Sequence, residues 1–198
     1  MSLAVVSVED VDEAVRVLVD AFAADSLMDF LFYSHPQGVA TGAHSFFSIL
    51  LRARIALRMP TILCRQGNRI AGVAMGYNTD PPTWPENFND EWRTLAAQTP
   101  GFAKRLALYE SIATSCVPPE PHYYLGVLGV HPNFQSQGVG KQLLDEVCRL
   151  SASDKRSTGV YLETASPASL KFYYRNDFVL RGQGEIGGAP LWCVFRPT

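Results

Sequence analysis

The chain has 198 residues, 47% hydrophobic and 18% charged, enough to bury a full core and an ordinary length for one domain. A formal net charge of −2 with scattered basic residues removes the electrostatic case for a nucleic-acid surface, and no apolar run is long enough to cross a bilayer. Cys64, Cys116, Cys148 and Cys193 stand far apart with no Cys-x-x-Cys pair, which argues against a disulfide framework and against a zinc knuckle.

The opening "MSLAVVSVEDVDEAV" turns acidic where a secretory signal would be apolar, so the expectation is a cytoplasmic protein with reduced thiols. Ser7 and Asp10 form a capping pair, and Val8, Val11, Ala14, Val15, Leu18 and Phe22 recur at helical spacing, predicting a helix over about residues 8 to 23. A second helix is predicted from about Thr41 to Leu57, with Phe46, Phe47, Leu50 and Leu51 inward and Arg52, Arg54 and Arg58 near its end, where cations suit the helix dipole. "TILCR" and "IAGVAMGY" flanking "QGN" read as a β-hairpin. Residues 79 to 120 open on "DPPTWPENF", carry two helical stretches and close on "VPPEP", an insertion-like helical pair within one domain spanning 1–198.

"YYLGVLGV" from Tyr123 is an apolar run of strand length. "HPNFQSQGVG" then turns into a helix with Val139, Leu143, Leu144, Val147 and Leu150 on one stripe. A strand at "TGVYLET", a short helix near Ala168 to Arg175, and strands at "FVLRGQG" and "PLWCVFRP" complete the chain. The order predicts a mixed α/β sheet with helices on both faces.

A strand, a glycine-bearing turn and a helix start gather free N–H groups around one point, with the helix dipole adding positive potential, so an anionic group such as phosphate fits at Gly138 and Gly140. Equally, these glycines serve a tight turn or close packing. A P-loop is excluded because Gln135 stands at its first glycine and Gln142 at its hydroxyl position, and a dinucleotide fingerprint would need glycine at Leu143. No His, Cys or carboxylate cluster has metal-ligand spacing, so no metal is expected. No Gly-x-Ser-x-Gly run marks a serine nucleophile.

Gln135-Ser136-Gln137-Gly138-Val139-Gly140, following a strand that ends "LGVHP", resembles the Gln/Arg-x-x-Gly-x-Gly/Ala signature of the GCN5-related N-acetyltransferase superfamily. "SPASLKFYYRNDFVL" resembles that family's last conserved segment, with Tyr173 at its tyrosine, Ser166 where asparagine is usual and Asp177 in place of the common glycine. The resemblance implies a mostly antiparallel central sheet of six to seven strands. It also implies acetyl-CoA as cosubstrate, its pyrophosphate on the N–H groups of residues 136 to 141, with Lys141 a solvated helix residue beside the phosphates. The strand carrying Leu128, Gly129 and Val130 would splay from the one carrying Tyr161 to Thr164, backbone groups in the gap would hold the pantetheine arm, and an N–H near Val130 would polarise the thioester carbonyl. Gly126 and Gly129 suit a bulge or a close approach.

Acetyl transfer to an amine needs a proton acceptor for the amine and a proton donor for the departing thiolate. Tyr173 is the candidate acid, with Tyr174 beside it as the alternative. Glu163 is the candidate base or amine anchor, its other reading being a salt bridge with an arginine; His131 ends its strand as turn chemistry or as a proton relay. The resemblance implies an acceptor site built from "DSLMDFLFYSHPQG" and the 79–120 insertion, both rich in aromatics, with Asp25, Asp29 and Glu110 available to a cationic amine. The expected activity is transfer to a primary amine of a small molecule or peptide by direct attack in a ternary complex, by a protein of a type that commonly dimerises. The alternative is an acyl-CoA-binding module without turnover.

Overall fold

Short, nearly continuous apolar runs at "TILCRQ" and "RIAGVAMGY" form an antiparallel hairpin, β2 (Thr61–Gln66) and β3 (Arg69–Tyr77). The computed structural model describes all 198 residues and builds the hairpin into a seven-stranded sheet. Its other strands are β1 (Ser2–Val5), β4 (Tyr123–Val130), β5 (Gly159–Thr164), β6 (Val179–Ile186) and β7 (Ala189–Pro197). Their order is β1-β2-β3-β4-β5-β7-β6, antiparallel throughout except between β4 and β5.

Seven helices flank the sheet. On one side α1 (Val11–Ala21), α2 (Ser26–Phe32) and α3 (Val39–Ala56) bury Leu18, Leu31, Phe32, Phe47 and Leu51 against Val73 and Val127. The insertion supplies α4 (Glu86–Gln98) and α5 (Phe102–Cys116), whose Leu95 and Phe102 join the same cluster. On the other side α6 (Val139–Ser153) presents Val139, Leu143, Leu144 and Val147, the stripe read from the sequence, to Ile62, Ala74, Leu125 and Val160. The short α7 (Pro167–Tyr174) packs Tyr173 and Leu170 on that second cluster. No helix is long and apolar enough to cross a membrane.

The first predicted helix is shorter than its apolar period suggested. Ser7 and Asp10 do form the capping box, but they cap a single 3-10 turn at Val8–Asp10 before α1 begins. Strand β1 and helix α2 are additions to the predicted order. β1 is exposed and held only by pairing with β2, while α2 is nucleated by Asp25, whose carboxylate accepts from the N–H groups of Leu27 and Met28.

One irregularity sets the site. Met75 pairs with Val127 and Gly76 with Leu125, so Gly126 is an extra, bulged residue of β4. The bulge steps the alternation by one. Tyr123 and Leu125 face α6, Val127 faces α1 and α3, and Leu128 and Val130 face α6 again. β4 and β5 pair only ahead of the bulge, at Tyr123–Val160 and Tyr124–Tyr161, leaving a wedge between Leu125–Val130 and Leu162–Thr164.

Candidate active site

The end of β4 leads into the glycine turn through a 3-10 turn at Pro132–Phe134. Gln135 donates its side-chain N–H to Val130 O at 3.1 Å, and Gln137 donates to Asn133 O at 3.0 Å, so both glutamines brace the turn. Ser136 (φ +60°) and Gly138 (φ +83°) are left-handed, and Gly138 is the N-cap of α6. The first i→i−4 bond of α6 runs from Gln142 N to Gly138 O. None of the N–H groups from Ser136 to Lys141 donates to a turn, loop or side-chain acceptor. Six consecutive donors at the start of a 15-residue helix are therefore unspent, and nothing lies within 4 Å of the point where a Gly138 side chain would start. That cradle fits the pyrophosphate that the family resemblance implies. Lys141 is bound 2.7 Å from both carboxylate oxygens of Asp145, which makes it an exposed helix residue, as expected.

The wedge opens on the other edge of β4. His131 N–H is donated to Ala71 O of β3 at 3.0 Å, and strand alternation then turns the N–H groups of Leu128 and Val130 toward the wedge, where β5 no longer pairs. Gly129 faces away from it. A side chain there would meet Leu18 and Ala21 of α1 and Phe22 at its C-terminal cap, so this glycine serves close helix packing.

A cavity of about 420 Å3 runs through the wedge. One part is lined by Leu128, Thr164, Ser169 and Tyr173, the other by Phe22, Phe46, Phe47, Trp84 and Trp92. Tyr173 is 7% exposed, reaches the cavity and makes no hydrogen bond, and burial pushes its phenol further up, keeping it protonated. Tyr174, 44% exposed, points outward. Glu163 is in the same cavity, half-buried, and accepts hydrogen bonds from Tyr124 (2.9 Å) and Tyr109 (3.1 Å). Burial raises its carboxyl above the ordinary range against the lowering effect of those phenols. The arginine salt bridge does not form; the carboxylate is satisfied by tyrosines.

Residues 100–180, from α5 through α6, β5 and α7, match a family model described as an acetyltransferase (GNAT) domain. Over that segment the chain is similar to the GCN5-related N-acetyltransferase superfamily. Among solved structures, a histone acetyltransferase and related acetyltransferase from Corynebacterium glutamicum is similar at a TM-score of 0.71 with 23% identity, covering 100% of this chain and 96% of that one. A Drosophila melanogaster polyamine N-acetyltransferase aligns at 0.72 with 15% identity over 100% and 99% of the two chains. An arylalkylamine N-acetyltransferase from Aedes aegypti aligns at 0.70 with 15% identity over 99% and 98%. At these identities the likeness speaks to the fold.

The remaining predicted residues of this chain have plain positions. The Ser166 hydroxyl accepts from Ser169 N–H at 3.2 Å and is the N-cap of α7, so its oxygen already has a structural task. Asp177 holds φ +65°, the left-handed backbone that its family glycine would supply and that aspartate tolerates. The ring Nδ1 of His131 accepts from Asn133 N–H, which is turn chemistry, and the residue lies outside the cavity. Of the acids offered to an amine, Asp25 and Glu110 line the cavity, whereas Asp29 lines a separate open cleft with Phe30 and Tyr33. Phe32, Phe88 and Phe102 are core.

Sequence reasoning missed Tyr124 and the role of Arg54. Tyr124 read as one more apolar strand residue, yet its phenol holds Glu163. Arg54 read as a dipole-complementing cation at the end of α3, yet it is 3% exposed and faces the cavity. Only its setting in "LLRARIAL", an arginine among core positions, hinted at burial.

Proposed function

We propose that this acetyltransferase moves the acetyl group of acetyl-CoA onto a primary amine bound in the aromatic part of the cavity, by direct attack. One observation carries the reading: a single cavity, threading the gap between β4 and β5, joins a protonated, unpartnered tyrosine to a half-buried carboxylate, beside a turn with six free N–H groups.

Each protein group has a task. The N–H groups of Ser136 to Lys141 hold the pyrophosphate, and the wedge edge of β4 holds the arm. The thioester supplies the activated acyl group. Val130 N–H, turned into the wedge, polarises its carbonyl. Glu163 accepts the amine's proton, its raised affinity for protons bringing it closer to the working pH than an exposed carboxylate. Tyr173 donates its phenolic hydrogen to the leaving sulfur. The C–S bond breaks as the C–N bond forms, and the products are an amide and free coenzyme A. The likeness to polyamine and arylalkylamine N-acetyltransferases supports an amine acceptor of modest size.

The test is release of free thiol from acetyl-CoA with a panel of primary amines, wild type against Tyr173→Phe. Amine-dependent release that Tyr173→Phe largely abolishes, with acetyl-CoA binding unchanged, is the expected result. Tight acetyl-CoA binding with no release for any amine would instead identify an acyl-CoA-binding module.

A further inference from the structure

Arg54 is a buried cation without a counter-ion. No carboxylate stands within ion-pair distance of it, and its one hydrogen bond runs from Nη1 to Leu50 O at 3.2 Å. Its guanidinium lies over the Tyr77 ring, 4.4 Å from the centroid, and Nε is fully buried with no partner. Nη2 also makes no hydrogen bond. Nε and Nη2 form one of the guanidinium edges that can grip a carboxylate through two parallel N–H···O bonds, and here neither has a partner. Burying such a group without a partner is costly, and the fold retains it.

The space beside that edge is built in. The bulged Gly126 has no side chain; a Cβ there would stand 3.3 Å from Nη2 and 3.0 Å from the Tyr124 ring. Arg54, Gly126 and Tyr124 all line the cavity, with Glu163 beyond Tyr124 and the rings of Phe46, Phe47 and Trp92 around the rest. The cavity therefore offers a buried carboxylate at one point, a buried guanidinium edge at another, and an aromatic surface between. The other acids on its wall do not answer Arg54: Asp25 is committed to capping α2, and Glu110 is exposed.

We infer that the acceptor is an amine that also carries a carboxylate and an apolar body, the chemistry of a hydrophobic or aromatic amino acid, with Arg54 binding the carboxylate and Glu163 meeting the amine. The inference rests on the acetyl-transfer reading for its reaction, but not for its binding arrangement. It disfavours polyamines, whose second cation would face Arg54.

The experiment compares L-phenylalanine with phenethylamine, and L-tryptophan with tryptamine, as acceptors and as ligands in calorimetric titration of the acetyl-CoA-saturated protein. The amino acids are expected to be better by roughly 10- to 100-fold in kcat/KM, the range for a charged hydrogen-bonded contact. Arg54→Met should erase that ratio, and Arg54→Lys should restore part of it. Gly126→Ala, which fills the space beside Nη2, is the second variant should Arg54→Met fail to fold, and it should lower the same ratio. Preference for the amines lacking a carboxylate, or a ratio unmoved in the variants, overturns the inference. If no compound is acetylated, the acetyl-transfer reading fails by itself. Titration then decides the carboxylate assignment: Arg54-dependent binding of L-phenylalanine over phenethylamine upholds it, and equal binding overturns it.

Discussion

Replacing Gly138 with glutamate tests the cofactor turn most directly. Gly138 holds φ +83° with open space around its missing side chain, so steric overlap within the protein contributes nothing and the backbone cost is that of a left-handed L-residue, about 1–2 kcal/mol. For a chain of this size about 1 kcal/mol moves the melting temperature by roughly 2–4 °C, so Gly138→Ala should melt roughly 2–8 °C below wild type. Gly138→Glu should melt no lower than the alanine variant, because its carboxylate sits at the positive end of α6 and reaches the same unspent N–H groups. That is why it should not bind cofactor: the donors are occupied and a like charge stands where the pyrophosphate must lie. Acetyl-CoA at about a hundred times its dissociation constant adds roughly 2.7 kcal/mol, an upward shift of roughly 5–11 °C in wild type. The assay is a thermal melt of the three proteins with and without acetyl-CoA. A wild-type-sized shift in Gly138→Glu would refute the placement of the pyrophosphate on this turn.

Tyr173→Phe should lower kcat by roughly 10²–10⁴-fold while leaving the acetyl-CoA melting shift intact, and Tyr174→Phe should match wild type in both; equal effects in steady-state kinetics would remove Tyr173 from the mechanism. For Glu163, a folded pKa above its unfolded value means that the native state binds the extra proton, so its ionisation subtracts stability increasingly as pH rises from the ordinary carboxylate range through the folded pKa. Glu163→Gln should therefore raise the melting temperature at pH 8, show no gain at pH 4, and abolish the acidic limb of the pH–kcat/KM profile; a lower melting temperature at pH 8 would contradict the burial argument. Gly76→Ala should destabilise by about 1–3 kcal/mol or more in denaturant titration, because its Cβ would overlap the Tyr124 carbonyl oxygen across the bulge. Unchanged stability there would mean that β3 and β4 shift without consequence.

Where local chemistry decides conformation, the sequence was readable. The hairpin around Gly67, the stripe on α6 and the capping box at Ser7 all follow from spacing over a few residues. Strand β1 did not, because "SLAV" is too short and too exposed to carry an alternation and exists only as an edge partner of β2. In the site, the turn and Tyr173 came from motifs, but the partners of Glu163 lie 39 and 54 residues away and meet it only through tertiary packing. Arg54 was misassigned for the same reason: its position on α3 was legible, and the cavity that its side chain faces is made by β3, β4 and the insertion. The glycine departure at Asp177 turned out to preserve the required backbone, a left-handed residue before Phe178.

The two halves of the chain divide the work unequally. The family match covers residues 100–180, which contain the turn, the wedge, Glu163, Tyr173 and the two tyrosines that hold Glu163. It leaves out Arg54, Phe46, Phe47, Trp84 and Trp92, the groups that shape the far end of the cavity. On the proposed reading, handling of the activated acyl group is written in a segment with recognisable motifs, while acceptor recognition would depend on α1–α3 and the start of the insertion, where no motif is visible. The link between them is physical. Tyr109 of α5 and Tyr124 of β4 both donate to Glu163, so the carboxylate pins the second helix of the insertion to the sheet at the point where the proposed reaction would bring the amine. Neutralising Glu163 removes the group that accepts the proton, yet a glutamine oxygen still accepts from both phenols. Chemistry and architecture at this residue are therefore separable, and the carboxylate's buried charge is a stability cost that the fold alone does not require.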